Sequence, residues 1–396
     1  RVPSAEGDNR RIQMDLIPSD MIQTIEVNKS VLPDMDADAI GGAVNLVTRK
    51  APNGLRVSGT AASGINLLTD KPIWTGGLII GDRIANEKLG IILSGSYNNQ
   101  FSGGGYSESG FDSYFGRFNY SFKGKYLASF TVRNDGISDL IGDNKRGTFF
   151  GGSVGWRVSD EAFFNSDLIS DFKVRASYAE VGNTGIGSFA AFGGFSPVLG
   201  GAGAGIGYAR VANGGLQWET SKKLNVGFDM TIGRVTVSAD YFNNDVDGLI
   251  LAAPTPPSLG VPGNSINQNV GAMVNQGFEF RVFANVINKG NFSYNTDFNI
   301  TFIKNEVTNL IQPLTSTYNR TEVGGPIAQL YGFRFAGVNP ANGNVMYFSG
   351  DNIVQLVGAA AWRAYNPADP GNTTVAGTAP TQSFLGNTLP KWQGGW

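Results

Sequence analysis

Cysteine and histidine are both absent from this 396-residue chain, and each absence closes off chemistry. Without cysteine there is no disulfide framework, zinc–thiolate site or thiol nucleophile. Without histidine the commonest general base is missing. The lack of cysteine fits an oxidising, surface-exposed location. Charge is scarce too: 16% of residues are charged and the net charge is −2, so no basic patch exists to take nucleic acid as a partner. No window is apolar over the roughly 18 residues a spanning helix needs, so any membrane crossing must be built from strands. The chain opens at Arg1 with no export signal, which predicts a precursor that begins upstream.

What is abundant is glycine and aromatic residues: 55 Gly, 26 Phe and 13 Tyr. From Leu55 onward they fall into alternation of period two, interrupted by Gly, Asn and Asp. In 224–232, Leu224, Val226, Phe228, Met230 and Ile232 share one face, opposite Asn225, Gly227, Asp229 and Thr231. After Gly233-Arg234 the pattern resumes with Val235, Val237, Ala239 and Tyr241. Two strands of about nine residues around a minimal turn are what a tilted membrane hairpin requires. Tyr114, Phe118, Tyr120 and Phe122 repeat the pattern, as do Tyr126, Ala128, Phe130 and Val132, and Phe298, Ile300 and Phe302. A soluble β-sandwich alternates as well. The membrane reading is preferred because these apolar faces carry no Lys or Arg, each of which would cost about 2–4 kcal/mol at mid-bilayer. Long connectors are expected at 182–215, 252–271 and 337–386, with 194–207 featureless and mobile.

Candidate sites for chemistry are few. Asp34, Asp36 and Asp38 have the start of a calcium-loop spacing, but Ala39 and Asn45 stand where Gly and Glu are needed, so no metal site is expected. The glycine run 201–207 lacks dinucleotide-loop spacing. Asp160-Glu161 and Asp245/Asp247 are expected in solvated turns. Trp362, Tyr365 and Trp392 carry two open readings: loop aromatics that stack on sugar rings or line a vestibule, and aromatics that pack a loop or an interface girdle. No cofactor is expected.

The segment 25–50 places two β-type runs, 25–27 and 43–48, around a polar connector that closes on Gly41-Gly42. Its I-E-V and G-G-A-V-N-L-V-T wording resembles the end of the plug domain of TonB-dependent outer-membrane receptors. The resemblance marks Ile25, Glu26, Val27, Gly41, Gly42 and Asn45 as a structural and gating plug motif. Farther on, Y-F-G-R-F-N-Y-S-F (114–122), D-G-I-S-D-L-I-G-D-N-K-R-G-T-F-F (135–150) and G-W-R-V-S-D-E-A-F-F (155–164) resemble SusC-type transporters (the RagA/SusC branch). So do K-V-R-A-S-Y-A-E-V-G-N-T-G-I-G (173–187), L-Q-W-E-T-S-K-K-L-N-V-G-F-D (216–229), Q-N-V-G-A-M-V-N-Q-G-F-E-F (268–280) and L-G-N-T-L-P-K-W-Q-G-G (385–395).

The resemblance implies an all-β fold, a transmembrane antiparallel β-barrel that closes at about 22 strands in the full family. About a dozen candidate strands are present here, so residues 1–52 are expected to be the C-terminal part of a plug and 53–396 a partial barrel, with a junction near 100–105. The implied function is TonB-dependent import of a nutrient across the bacterial outer membrane, an oligosaccharide foremost and a peptide second. The implied partners are TonB with its inner-membrane energising complex, a SusD-like surface lipoprotein and outer-membrane lipid. A siderophore-type receptor and a passive or structural barrel are the rival readings; a secreted glycan-active enzyme is disfavoured by the missing histidine. Polar-face residues such as Asn225, Asp229, Asn295 and Asp297 are expected to hold the plug through exchangeable hydrogen bonds.

Overall fold

The computed structural model describes residues 22–28, 43–66, 70–102, 107–184, 191–200, 203–290, 292–358 and 361–396. Gly41, Gly42 and the Asp34/Asp36/Asp38 run lie outside the described residues, as do 103–106 within the expected junction. Two compact units emerge, 1–304 with 391–396, and 305–390.

Alternation builds the first unit. β1 (Ile22–Asn28) and β2 (Ala43–Thr48) pair antiparallel, with Ile25 opposite Leu46, Glu26 opposite Asn45 and Val27 opposite Val44. Next come β3 (Arg56–Asn66), β4 (Lys71–Ile84), β5 (Leu89–Ser102), β6 (Ser107–Phe122), β7 (Tyr126–Ile137), β8 (Arg146–Arg157) and β9 (Ile169–Asn183). A separate hairpin, β10 (Gly194–Gly200) and β11 (Gly203–Arg210), precedes β12 (Glu219–Ile232), β13 (Val235–Pro254), β14 (Ser265–Lys289) and β15 (Phe292–Leu310).

The second unit holds two four-stranded sheets. One contains β16 (Leu314–Thr315), β17 (Asn319–Thr321), β18 (Gln329–Gly332) and, later in the chain, β23 (Ser383–Gly386). The other is β19 (Phe335–Val338), β20 (Val345–Ser349), β21 (Asn352–Val357) and β22 (Ala361–Ala364). β24 (Trp392–Gly395) belongs to the first unit.

Twelve strands form one antiparallel sheet among the described residues, in the order β24-β15-β14-β13-β12-β9-β8-β7-β6-β5-β4-β3. Register keeps each face uniform. Across β7, β8, β9 and β12, Ala128 faces Val154, Val154 faces Ala176, and Ala176 faces Val226. Leu78, Leu93, Phe130, Phe150, Val154, Val226, Phe278 and Phe302 are exposed on this face, which is a surface made for an apolar solvent. No helix of the described residues is long and apolar enough to cross a membrane.

The connections are asymmetric. At one end the strands turn over short segments, 85–88, 123–125 and 233–234, with 158–168 longer. At the other end stand 138–145 and 255–264, and β9 is joined there to β12 over 184–218. The short-turn end carries an aromatic belt. Tyr126 Oη and Trp156 Nε1 donate to Glu161 Oε1 at 2.6 and 3.1 Å, and Lys125 Nζ donates to Oε2 at 3.4 Å. The Tyr126 hydroxyl first, then the Trp156 indole, hold the Glu161 carboxyl below its ordinary range, because both bonds favour the charged form.

Several sequence expectations are corrected. Segment 194–207 is not featureless but folds as the β10–β11 hairpin, with Phe195 stacked on Tyr208 at 4.8 Å between ring centroids. That cross-strand pair gives a glycine-rich ribbon its register. The 337–386 connector contains β20, β21, β22 and β23, and 252–271 shrinks to 255–264. Asp245 and Asp247 lie within β13 rather than in a turn, and Asp247 pairs with Lys222 at 2.6 Å. One cause covers these strand ends: outside the apolar band nothing enforces alternation, yet the backbone ladder continues. Thus β13 runs 20 residues and β14 runs 25.

Two expectations follow for measurement. Val226→Lys puts an amine on the apolar face and should cost about 2–4 kcal/mol of folding free energy in lipid vesicles, read by urea titration; an unchanged midpoint would contradict the assignment of faces. The Glu161 bonds require a carboxylate with a lowered pKa, so their contribution is complete above the carboxyl's ordinary value of 4.5 and is lost as pH falls through the lowered one. A Trp156 emission change should therefore appear only below pH 4.5 and be missing in Glu161→Gln.

Candidate functional site

Three features of the first unit bear on function: the polar face of the sheet, the seat of the chain that follows β2, and the loop-end core.

The polar face is self-paired. Arg175 on β9 donates through Nε to Asp229 Oδ2 at 3.1 Å, through Nη1 to Asn225 Oδ1 at 3.3 Å, and through Nη2 to Asp240 Oδ2 at 2.6 Å. Reaching Asp240 means crossing β12 above Gly227, which is opposite both Arg175 and Asp240. A Cβ built at Gly227 would fall on the Asp240 carboxylate, so only glycine leaves that passage open. Ser238 Oγ adds a bond to Asp229 at 2.9 Å. Along the same face Arg281 holds both oxygens of Asp297, and Asp135 accepts from Arg133 Nε and Ser113 Oγ, each at 2.6 Å. Asn225, Asp229 and Asp297, expected to hold a plug, are thus committed to the wall itself. A depression of about 280 Å³ lies on this face, lined by Ser153, Gly155, Lys173, Arg175, Ser177 and Asn225 among others. It suits a hydroxyl-rich or anionic group and offers no nucleophile–base pair. No cluster of three or more Asp or Glu residues could hold a metal ion among the described residues.

The seat is built from Arg83, Gly81 and Gly90. Arg83 Nε donates to the Ala51 carbonyl at 3.0 Å. A Cβ at Gly81 would lie 2.8 Å from Pro52 Cδ, and one at Gly90 would lie 2.7 Å from Ala51 Cβ. The two glycines therefore form notches in β4 and β5 into which Ala51 and Pro52 fit, and Ala51 is buried. Arg83 is opposite Gly90 in the register, so one cross-strand pair supplies both donor and notch. β1 and β2, which carry the residues that the sequence marks as a plug motif, lie immediately before this seat in the chain.

At the loop end, Leu140, Phe149, Ala191, Leu216 and Trp218 form a buried apolar cluster, with Ile137, Ile141 and Ile250 packed against it. Phe149 meets Trp218 edge to face at 5.6 Å. Polar bonds lock the surrounding segments. The Glu219 carboxylate accepts from Asn183 Nδ2 and the Ile250 amide, and the Asn213 side chain reaches the Asn267 carbonyl. Sequence segments 135–150, 173–187 and 216–229 all send residues into this cluster or its polar frame, and 268–280 supplies Asn269, whose Oδ1 accepts from the Gln217 amide at 2.9 Å.

The sequence-marked aromatics are not one group. Trp362 lies in β22 of the second unit, packed against Tyr347 at 5.6 Å and Phe333 at 6.4 Å. Tyr365 follows β22, its amide bonded to the Ile353 carbonyl. Trp392 stands in β24, opposite Phe302 and exposed, rather than in a ligand-facing loop. Of the plug-motif residues, Ile25 is exposed, and Glu26, Val27 and Asn45 take the paired positions given above.

The profile described as TonB dependent receptor-like, beta-barrel matches residues 56–396. The chain belongs to that family. Family members are outer-membrane transporters and receptors, not enzymes, and the twelve-stranded sheet is outer-membrane β-barrel wall. TonB-dependent receptor P3 of Formosa agariphila is 33% identical over 245 residues, covering 57% of this chain and 24% of that protein. TonB-dependent receptor SusC of Bacteroides thetaiotaomicron is 32% identical over 229 residues, 55% of this chain and 22% of SusC. The chain thus spans about a quarter of the length of these curated relatives. Among solved structures, the RagAB peptide importer in its closed-closed state matches with a TM-score of 0.65 at 19% identity, over 82% of this chain and 39% of that one. That likeness shows the fold.

The seat at Ala51 and Pro52 makes a direct prediction about the Lys50–Ala51 bond. Trypsin should cleave it slowly in the folded receptor. In Arg83→Gln or Gly90→Val cleavage should accelerate about tenfold or more, since a lost bond or a forced clash opens the seat by about 1–3 kcal/mol. Equal cleavage rates in all three, with the barrel folded, would show that the seat restrains nothing.

Proposed function

We propose that this chain is the wall and plug end of a receptor that imports a nutrient oligomer across the outer membrane, energised through TonB. The observation that carries this reading is the seating of Ala51 and Pro52 on the polar face. It ties the segment after β1 and β2 to the wall on the side away from lipid, at the end where the turns are short. A passive pore has no use for such a tether. A plug that is pulled from the periplasm needs one, because it must be displaced without being lost.

The substrate class we infer is an oligosaccharide, taken from a SusD-like lipoprotein lid. The SusC-type wording of the segments around the loop-end core supports this, as does the matching relative SusC. The depression lined by Ser153, Ser177 and Lys173 offers hydroxyl and ammonium groups of the kind that exchange hydrogen bonds with a sugar in transit. The junction expected near 100–105 stays a proposal of a shortened wall; β5 and β6 pair from Leu89 opposite Tyr120 to Ser102 opposite Ser107.

Uptake of labelled oligosaccharide by cells carrying the receptor should stop when the proton-motive force is collapsed. Labelled peptide or ferric siderophore should not accumulate. Uptake that survives the collapse would make the barrel passive, and energised uptake of peptide alone would overturn the substrate class.

A further inference from the structure

The short-turn end carries an arrangement that neither transport nor wall-building uses. Tyr120, Phe122 and Tyr126 form a rung of rings on the apolar face. Tyr120 and Phe122 are stacked at 6.5 Å, and Phe122 and Tyr126 at 6.3 Å. Two ammonium groups converge on the middle ring: Lys123 Nζ stands 5.4 Å and Lys88 Nζ 5.8 Å from the Phe122 centroid. They come from different turns, 85–88 and 123–125, which the backbone bond from Ser121 to the Lys88 carbonyl brings side by side. Both lysines are exposed. Neither has a carboxylate partner among the described residues, although Glu87 is adjacent to Lys88 in the chain. The third lysine of the group, Lys125, is committed to Glu161. That carboxylate also takes up the Tyr126 hydroxyl and the Trp156 indole, so it does not compete for the other two amines.

We propose that Lys88 and Lys123 bind the phosphodiester of an anionic glycerophospholipid in the periplasmic leaflet, its acyl chains lying on the apolar face beside Tyr120. Three observations converge on that ligand. The amines are positively charged and unneutralised, so an anion is wanted. They sit over an aromatic ring at the edge of an apolar band, where a headgroup meets its chains. Beyond them the face carries an apolar column, Leu89 opposite Tyr120 and Ile91 opposite Phe118, along which an acyl chain can lie, with Asp82 standing on the far side of Ile91. The turns that carry the lysines are short, and in barrels of this family short turns face the periplasm, which fixes the leaflet. A soluble anion would use the two charges and leave the apolar column without a role. The proposal stands apart from the import reading and needs only that the wall crosses the outer membrane.

Native mass spectrometry of the purified receptor tests it, with dioleoyl-phosphatidylglycerol and dioleoyl-phosphatidylcholine added in parallel. A phosphatidylglycerol adduct should survive detergent removal in preference to phosphatidylcholine. Its retention should fall about fivefold for each lysine lost in Lys88→Gln and Lys123→Gln, and persist in the Lys88→Arg/Lys123→Arg pair. Equal retention of the two lipids in the unaltered receptor overturns the proposal, which keeps it testable if a glutamine variant fails to fold. So does unchanged retention in the folded double glutamine variant. Displacement of the lipid by millimolar inorganic phosphate would show a free-anion site instead.

Discussion

In hydrocarbon there is no water to satisfy a backbone amide, so every N–H and C=O of a crossing strand must find its partner in a neighbouring strand. The rest of this chain follows from that constraint. It makes adjacent strands hold register, as β12 does against β13 from Thr220 to Ile232 and against β9 from Glu219 to Thr231. Register in turn makes alternation consequential, since a slip of one residue would move a whole apolar set to the wrong side. Once the apolar set faces lipid, the intervening residues are gathered on the other face. There charged groups lie close together in a partly enclosed setting, and the arrangement that costs least is mutual pairing. Arg175 with Asp229 and Asp240, and Arg281 with Asp297, are that pairing.

Beyond the apolar band the constraint relaxes. Strands extend as far as hydrogen bonding alone supports them, and stability has to come from elsewhere. At the loop end it comes from a small core that would suit a soluble domain, with Leu140 and Leu216 fully buried and Trp218 against Phe149. Truncation at such sites costs about 2–5 kcal/mol in soluble proteins. The second unit solves the same problem with amides: fully buried Asn339 and Gln355 bond to each other at 2.8 Å, and Gln355 reaches the Asn372 carbonyl. The SusC-type wording of the chain concentrates where loops are fastened, since lipid-facing positions ask only for an apolar residue and accept many.

The wall was legible in the sequence because lipid enforces period two. The faces through Leu224, Val226 and Phe228, and through Phe118, Tyr120 and Phe122, stand as the alternation predicts. The two β-type runs 25–27 and 43–48 are strands as well, and the structure adds that they pair with each other. Strand ends were not legible, because polar residues such as Asp245 and Asp247 read as turn-formers while the ladder runs through them. The β10–β11 hairpin was hidden by its glycines; its register rests on Phe195 meeting Tyr208, a pair separated by a loop. The seat was hidden for a related reason. Gly81 and Gly90 look like any other strand glycines until Pro52 and Ala51 are placed against them, and nothing local encodes that contact.

A wall that has paired its arginines with its own carboxylates along much of its polar face presents few strong bonds to anything moving along it. Arg175 has spent its donors on Asp229, Asn225 and Asp240, and Asp297 has both oxygens taken by Arg281. Displacing a body from such a surface exchanges weak, hydrated contacts for water and leaves no buried charge stranded. Arg83 is arranged differently, because its Nε is given to the Ala51 carbonyl rather than to a wall carboxylate. The chain is therefore held where it joins the wall, by a bond and two steric notches, while the face above is chemically quiet. A strong hold at one point and a weak hold elsewhere is a tether, and on the import reading proposed above a tether is what distinguishes a plug that is displaced and returns from one that is either fixed or lost.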